Sequence, residues 1–416
     1  MLTYIPSGRE RIPIEIDKSR VVTSRIEELP AVENGRAVVE NALQNPIASP
    51  PLRELAKTAK SCVILISDHT RPVPSQDILP PMLAELRAGN PFINITLLVA
   101  TGCHRATTGD ELKSKLGEEI YSKENIVVHD CDDKDSLVNI GILPSGAPLI
   151  LNKLAVDTDL LVSEGFIEPH FFAGFSGGRK SVLPGICDRK TVLGNHCGAF
   201  IANENARTGI LDGNPIHKDM EAAAEMAHLR FIVNVVIDPQ KRVAAAFAGN
   251  FKAAHAEGVR FLRQFCEVPA VKGDVVITSN GGAPLDQNLY QCVKGLTAAE
   301  ACAKENATLI LCAGMEDGVG GESFYRQLRD CESPKALYEQ FCATPQADTA
   351  PDQWQSQILA RILMHHRIIF VTGESMKPVI QDMKMEWAGS LNEAKQMAGG
   401  GEITVIPDGV SVMIKG

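Results

Sequence analysis

The chain has 416 residues, 44% hydrophobic and 22% charged, which fits a folded protein of about two domains and not a disordered or fibrous one. A formal net charge of −10 argues against a nucleic-acid binder, which needs a basic face, but leaves room for a small anion held by a few local cations. No apolar run approaches the roughly 18 residues of a membrane span. The opening MLTYIPSGRERIPIEI lacks the basic-then-apolar order of a signal peptide, and eleven scattered cysteines without a CxxC pair read as reduced thiols of a cytoplasmic protein.

In chain order, short β-branched or leucine-rich runs recur: CVILIS (62–67), ITLLVAT (95–101), LLVSEG (160–165), FIVNVVID (231–238), DVVITSNGG (274–282), TLILCAG (308–314), RIIFVTG (367–373) and EITVIPDG (402–409). They do not alternate polar with apolar, so they predict strands buried on both faces of parallel sheets. Helical patterns lie between them, at LPPMLAELRAG (79–89), PIHKDMEAAAEMAHL (215–229) and KAAHAEGVRFLRQFC (252–266). The alternation predicts an α/β fold with right-handed crossovers. EVPAVKGD (267–274) sets proline, glycine and charge before a fresh strand, so the domains are expected at 1–270 and 271–416. The polar stretch ATPQADTAPDQWQ (343–355) reads as an excursion inside the second domain.

Open α/β sheets bind ligands beyond the carboxyl ends of their strands. Three N-terminal runs end there in polar clusters, SDHTRP (67–72), TGCHR (101–105) and EGFIEPH (164–170). They are expected to bring Asp68, His69, Arg71, His104, Arg105 and His170 to one rim. The segment EPHFFAGFSGGRKSVLPGICDRKTVLGNH (168–196) adds Gly174, Gly177 and Gly178 before Arg179 and Lys180, then His196. Glycine-rich backbone followed by a cation suits an anion such as a phosphate, although the pattern is not a Walker A loop. Taken singly, each of these residues also has an ordinary reading, as a loop histidine, a solvated lysine or a turn.

The 168–196 segment as a whole resembles the nickel-pincer lactate racemase family. The resemblance extends to SDHTRPVPS (67–75), TGCHR (101–105), LYQCVKG (289–295) and the tryptophan of DQWQSQI, in order across both domains. It implies two α/β domains, each with a mainly parallel sheet flanked by helices, and an active site in the cleft between them. It implies a pyridinium-3,5-bisthiocarboxylic acid mononucleotide, linked through a thioamide to Lys180 and carrying nickel, with His196 as the protein ligand to the metal. His104 and His170 match the acid/base pair. Arg71, Gln291 and Lys294 match residues that hold substrate or cofactor anions. Asp68, Gly177, Gly178 and Tyr290 match the cofactor's surroundings, and Trp354 matches the wall on the substrate side. Separate biosynthesis proteins would have to supply the cofactor.

The implied reaction inverts C2 of a 2-hydroxy acid, lactate or a close relative. Proton abstraction from that carbon is hard beside a carboxylate, and each unit of pKa mismatch costs about 1.36 kcal/mol. Moving a hydride avoids the carbanion, passes through a 2-keto acid, and asks of histidine only the hydroxyl proton. Two histidines then serve the two enantiomers. The competing readings are a metal-dependent hydrolase built on His104, His170 and His196, which would have no use for Lys180, and a homologue that binds the cofactor without turnover. The remaining histidines carry no assigned role, and oligomeric state is not legible in the chain.

Overall fold

Each of the eight runs predicted as a strand forms one in the computed structural model, which describes residues 1–415. Six strands make the first sheet, in the order Val243–Gly249, Leu229–Ile237, Leu160–Phe166, Ser61–Ser67, Asn94–Ala100, Asn125–Val128. Only the Val243–Gly249 edge runs antiparallel. The second sheet has five parallel strands, in the order Glu386–Ala388, Arg367–Val371, Ala303–Cys312, Gly273–Ser279, Ile403–Ile406. The three helical patterns form helices Ser75–Gly89, Pro215–Met226 and Phe251–Cys266.

The lack of alternation has the expected cause, since helices cover both faces of each sheet and the strand interiors are wholly buried. Ile64, Leu65, Leu97, Leu98, Val162 and Val233 are all 0% exposed, as are Ile277, Ile310 and Ile369 in the second sheet. Burying each such side chain contributes roughly 1.5–3 kcal/mol against leaving it in water. The eleven cysteines are free thiols. Among the described residues no helix is long and apolar enough to cross a membrane.

Neither of the two units is one continuous stretch. One comprises Ile26–Asn195 with Ile210–Phe265; the other comprises Met1–Arg25, His196–Gly209 and Cys266–Gly416. The boundary expected at 270 lies close to the last crossing, but residues 1–25 and 196–209 join the second unit. The reason is local pairing. The Leu2–Ser7/Glu10–Glu15 hairpin places Ile5 and Ile14 in the core of the second sheet, and Val21 bridges Val405. Residues 198–202 form a short helix whose Gly198 carbonyl accepts from Gln357 Nε2 at 2.8 Å. His196 therefore belongs to the second unit.

Candidate active site

In the first sheet, chain order turns at one point. The strand after Ser61–Ser67 lies on one side of it and the Leu160–Phe166 strand on the other, and such a switch point, at the strands' carboxyl ends, is where open α/β sheets bind ligands. Asp68 stands at the end of one strand, and His170 follows the other within four residues.

Asp68 is 2% exposed, and its Oδ2 lies 2.7 Å from His104 Nδ1. Its Oδ1 accepts from the Thr70 amide (3.1 Å) and hydroxyl (2.6 Å). Burial alone would raise this carboxyl's pKa. The hydrogen bond from His104, with Thr70 and Arg71, outweighs burial and holds it below the usual value. An ionised Asp68 takes the Nδ1–H of His104 and leaves Nε2 as the basic nitrogen on a half-exposed ring.

Below this pair lies Glu164, at the centre of a strand buried on both faces. Its Oε1 accepts from Ser75 Oγ (2.8 Å) and from the amide (3.3 Å) and hydroxyl (3.4 Å) of Ser67. One carboxylate thus ties both ends of the loop that carries Asp68 and Arg71. Lys115 ties its middle, donating to the Arg71 carbonyl at 3.1 Å. Burial pulls the Lys115 pKa down and raises that of Glu164. Sequence reasoning assigned neither a role, although a charge inside LLVSEG was a signal that something had to satisfy it.

His170 lies on a two-residue strand paired with Gly174–Phe175. Its ring stacks on Phe171 (5.2 Å, 19°) and meets Phe172 edge-on (4.5 Å, 80°). The Ala173 amide donates to its Nδ1 at 3.3 Å, which selects the neutral form protonated at Nε2. Gly177 and Gly178 follow at φ 78° and 53°. A Cβ at Gly177 would lie 2.7 Å from Asn234 Oδ1, and that same oxygen accepts from the Gly178 amide at 2.7 Å. Lys180 sits on the next turn with Nζ 6.0 Å from the Phe172 ring centre.

Arg179 departs from expectation. It does not offer its charge outward to an anion; it is 1% exposed and points into the fold. The expected rim is also only partly assembled. Asp68 and His104 meet, but His69 turns to Thr107 Oγ1 (3.1 Å) and Arg105 to the Glu111 carboxylate (2.9 and 2.5 Å).

The second unit carries the other predicted residues. Tyr290, Gln291 and Lys294 occupy the first turns of helix Leu289–Cys302, which Asn288 caps by accepting from the Gln291 amide at 3.0 Å. Burial, with Asp352 beside it, pushes the Tyr290 hydroxyl pKa up, and the Trp354 indole hydrogen bonds to that hydroxyl. Trp354 opens helix Gln353–His365 and meets His196 edge-on, with ring centres 5.1 Å apart at 64°. His196 is 5% exposed. Among the described residues, the one triple of close His, Cys, Asp or Glu donors is Asp130, Cys131 and Asp132, where Arg189 covers Asp132 at 2.6 Å.

Known proteins match this chain along its length. Residues 7–209 match the family Lactate racemase N-terminal domain, and residues 268–414 match Lactate racemase C-terminal domain. The lactate racemase of Lactiplantibacillus plantarum is 49% identical, covering 99% of each chain. That of Thermoanaerobacterium thermosaccharolyticum is 46% identical, covering 99% of this chain and 98% of the relative. The lactate racemase apoprotein structure from the latter organism superposes with a TM-score of 0.96 over 100% of both chains. A crystal structure of a Thermotoga maritima protein shares the fold at 18% identity, with a TM-score of 0.67 over 91% of this chain and 98% of that one. With close to half of its residues shared along its whole length, the chain belongs to the lactate racemase family and is a racemase, an isomerase.

Proposed function

We propose that the chain interconverts the enantiomers of lactate or a close 2-hydroxy acid in the cytoplasm, through a 2-keto acid, using a nickel-pincer nucleotide held on Lys180. The observation that carries the reading is the Asp68–His104 pair, a buried carboxylate 2.7 Å from an imidazole whose second nitrogen is left basic. Curated relatives named lactate racemase support the substrate class.

The residues present fit the cofactor. The backbone at Gly174, Gly177 and Gly178 adopts positive φ, and a Cβ there would run into the Ile210 carbonyl, Asn234 Oδ1 and the His255 ring, so the glycines let the chain turn tightly and present Lys180. The buried imidazole of His196 is a donor suited to nickel. Lys180 would carry the covalent link, Gly177, Gly178, Asp68 and Tyr290 would surround the group, and His196 would ligate the metal. When bound, the group would supply a two-electron acceptor for the hydride of C2.

The chain's own groups manage everything else. His104 Nε2 takes the hydroxyl proton of one enantiomer, and Asp68 stabilises the imidazolium that results. His170 serves the other enantiomer, its ring held in place by the Ala173 amide. Arg71 grips the substrate carboxylate as a planar fork, Lys294 adds a point charge, and Gln291 orients the anion through its amide. Trp354 closes the apolar side. The aromatic cluster of Phe171 and Phe172 keeps water from the keto intermediate.

The test is to co-produce the chain with the cofactor-biosynthesis proteins, supply single enantiomers of a panel of 2-hydroxy acids, and read the products by chiral chromatography. Racemisation of lactate or a near neighbour is expected, together with a mass increase on the Lys180 peptide and stoichiometric nickel. An unmodified Lys180 in a preparation that still racemises would overturn the cofactor assignment.

A further inference from the structure

Arg179 is a cation sealed into the fold, and its hydrogen bonds go to one stretch of backbone and one ring. Nη1 donates to the carbonyls of Phe175 (2.8 Å), Gly177 (3.2 Å) and Ser176 (3.4 Å), and Nη2 donates to that of Ala173 (2.8 Å). Nε donates to His217 Nδ1 at 3.0 Å. His255 closes the remaining side, with Nε2 2.8 Å from the Ser176 carbonyl and 3.3 Å from Nη1. Burial, then the guanidinium itself, pushes both imidazoles down to about 3, so each stands as a neutral ring against the ion. A buried ion survives only when its donors are taken up. Here the glycine-containing segment takes them up, its carbonyls gathered inward on one planar fork.

Two of those peptides lead directly to the site. Ala173 accepts from Nη2 through its carbonyl and donates to His170 Nδ1 through its amide. The Gly177 carbonyl accepts from Nη1 and also from the Lys180 amide at 3.2 Å. We infer that Arg179 is a positioning residue for His170 and Lys180: by collecting the 173–177 carbonyls it selects the tautomer of the one and fixes the backbone that presents the other. This rests on the roles given above to His170 and Lys180. A lysine would keep the charge but lose the fork, so Arg179→Lys separates geometry from charge.

The experiment uses full-length protein with ¹⁵N-labelled histidine, the His170 signals being identified by their loss in His170→Gln. In the parent without cofactor, His170 is expected as the Nε2–H tautomer. In folded Arg179→Lys it shifts to a mixture of tautomers. After co-production with the cofactor pathway, intact mass shows modification of Lys180 reduced by about ten-fold or more. Ile64→Val, a mild core deletion in the same unit, serves as the control and keeps both readouts. An unchanged His170 tautomer in folded Arg179→Lys overturns the inference, and so does equal loss in the control. Should Arg179→Lys not fold, His217→Leu removes only the acceptor for Nε; a smaller shift of the same sign supports the inference and none overturns it. Because the tautomer is read on unloaded protein, a parent that never acquires mass at Lys180 sinks the cofactor reading and leaves this test intact.

Discussion

The 67–75 and 173–180 segments are each held from below by a buried ion, a carboxylate in the first and a guanidinium in the second. Glu164 gathers N–H and O–H donors from Ser67 and Ser75 on one oxygen, and its Oε2 has no partner among the described residues. Arg179 spreads its donors over four carbonyls and an imidazole. A half-satisfied carboxylate can relieve its burial by taking a proton. A guanidinium, its pKa pulled by burial only to about 9, keeps its charge across the neutral range. The first loop is therefore the pH-sensitive one, and the second is set by geometry alone.

The largest expected effect breaks the first region at its tip. His104→Ala should lower racemisation by about 10²–10⁴-fold in both directions while the protein still carries the cofactor, read by chiral chromatography and intact mass. Unchanged turnover would remove His104 from the mechanism.

In the second region, Gly174→Ala sets a Cβ 2.4 Å from the Ile210 carbonyl at φ 78°. It should cost about 2 kcal/mol or more, measured by denaturant unfolding. A neutral result would mean that the segment tolerates rearrangement.

The pH dependence sharpens the contrast. Burial raises the Glu164 pKa in the fold, so its ionisation opposes folding as pH rises above the ordinary value of about 4.3. Glu164→Gln should remove that slope, gaining on the parent as pH rises through this window. For Asp68 the sign reverses. Its folded value is lowered, so its contribution is present above about 3.9 and is lost as pH falls through the folded value. Asp68→Asn should therefore cost most near neutral pH and least in acid. Parallel pH profiles for the two variants would contradict the assignment of opposite shifts. The smallest effect is expected at the surface, where Arg105→Gln opens the exposed Arg105–Glu111 pair. It should leave the unfolding midpoint within error of the parent and leave His104 in place.

Much of this was legible in the chain. Runs such as CVILIS and TLILCAG specify buried strands because nothing in them offers a polar face, and DHTRP and GGRK put unusual residue types where a strand or helix interior could not keep them. The N-terminal hairpin was not foreseen. Its IPIEI alternation is short, and its partner surface lies some 270 residues away, in strand Gly273–Ser279. The packing of the 196–209 segment against the second unit was not legible either: it depends on which helix Gly198 packs against, and spacing is silent on that.

Local pattern determined the strands, the helices and the candidate residue types, because burial and backbone periodicity act over a few residues. Whether a charge faces water or the interior was decided only by the tertiary structure. Arg179 and Lys180 are neighbours in sequence, yet one is walled in by carbonyls and the other stands beside an aromatic ring. That difference comes from the positive-φ turn between Gly177 and Gly178 and from His217 and His255, which arrive from distant parts of the chain to close over the guanidinium.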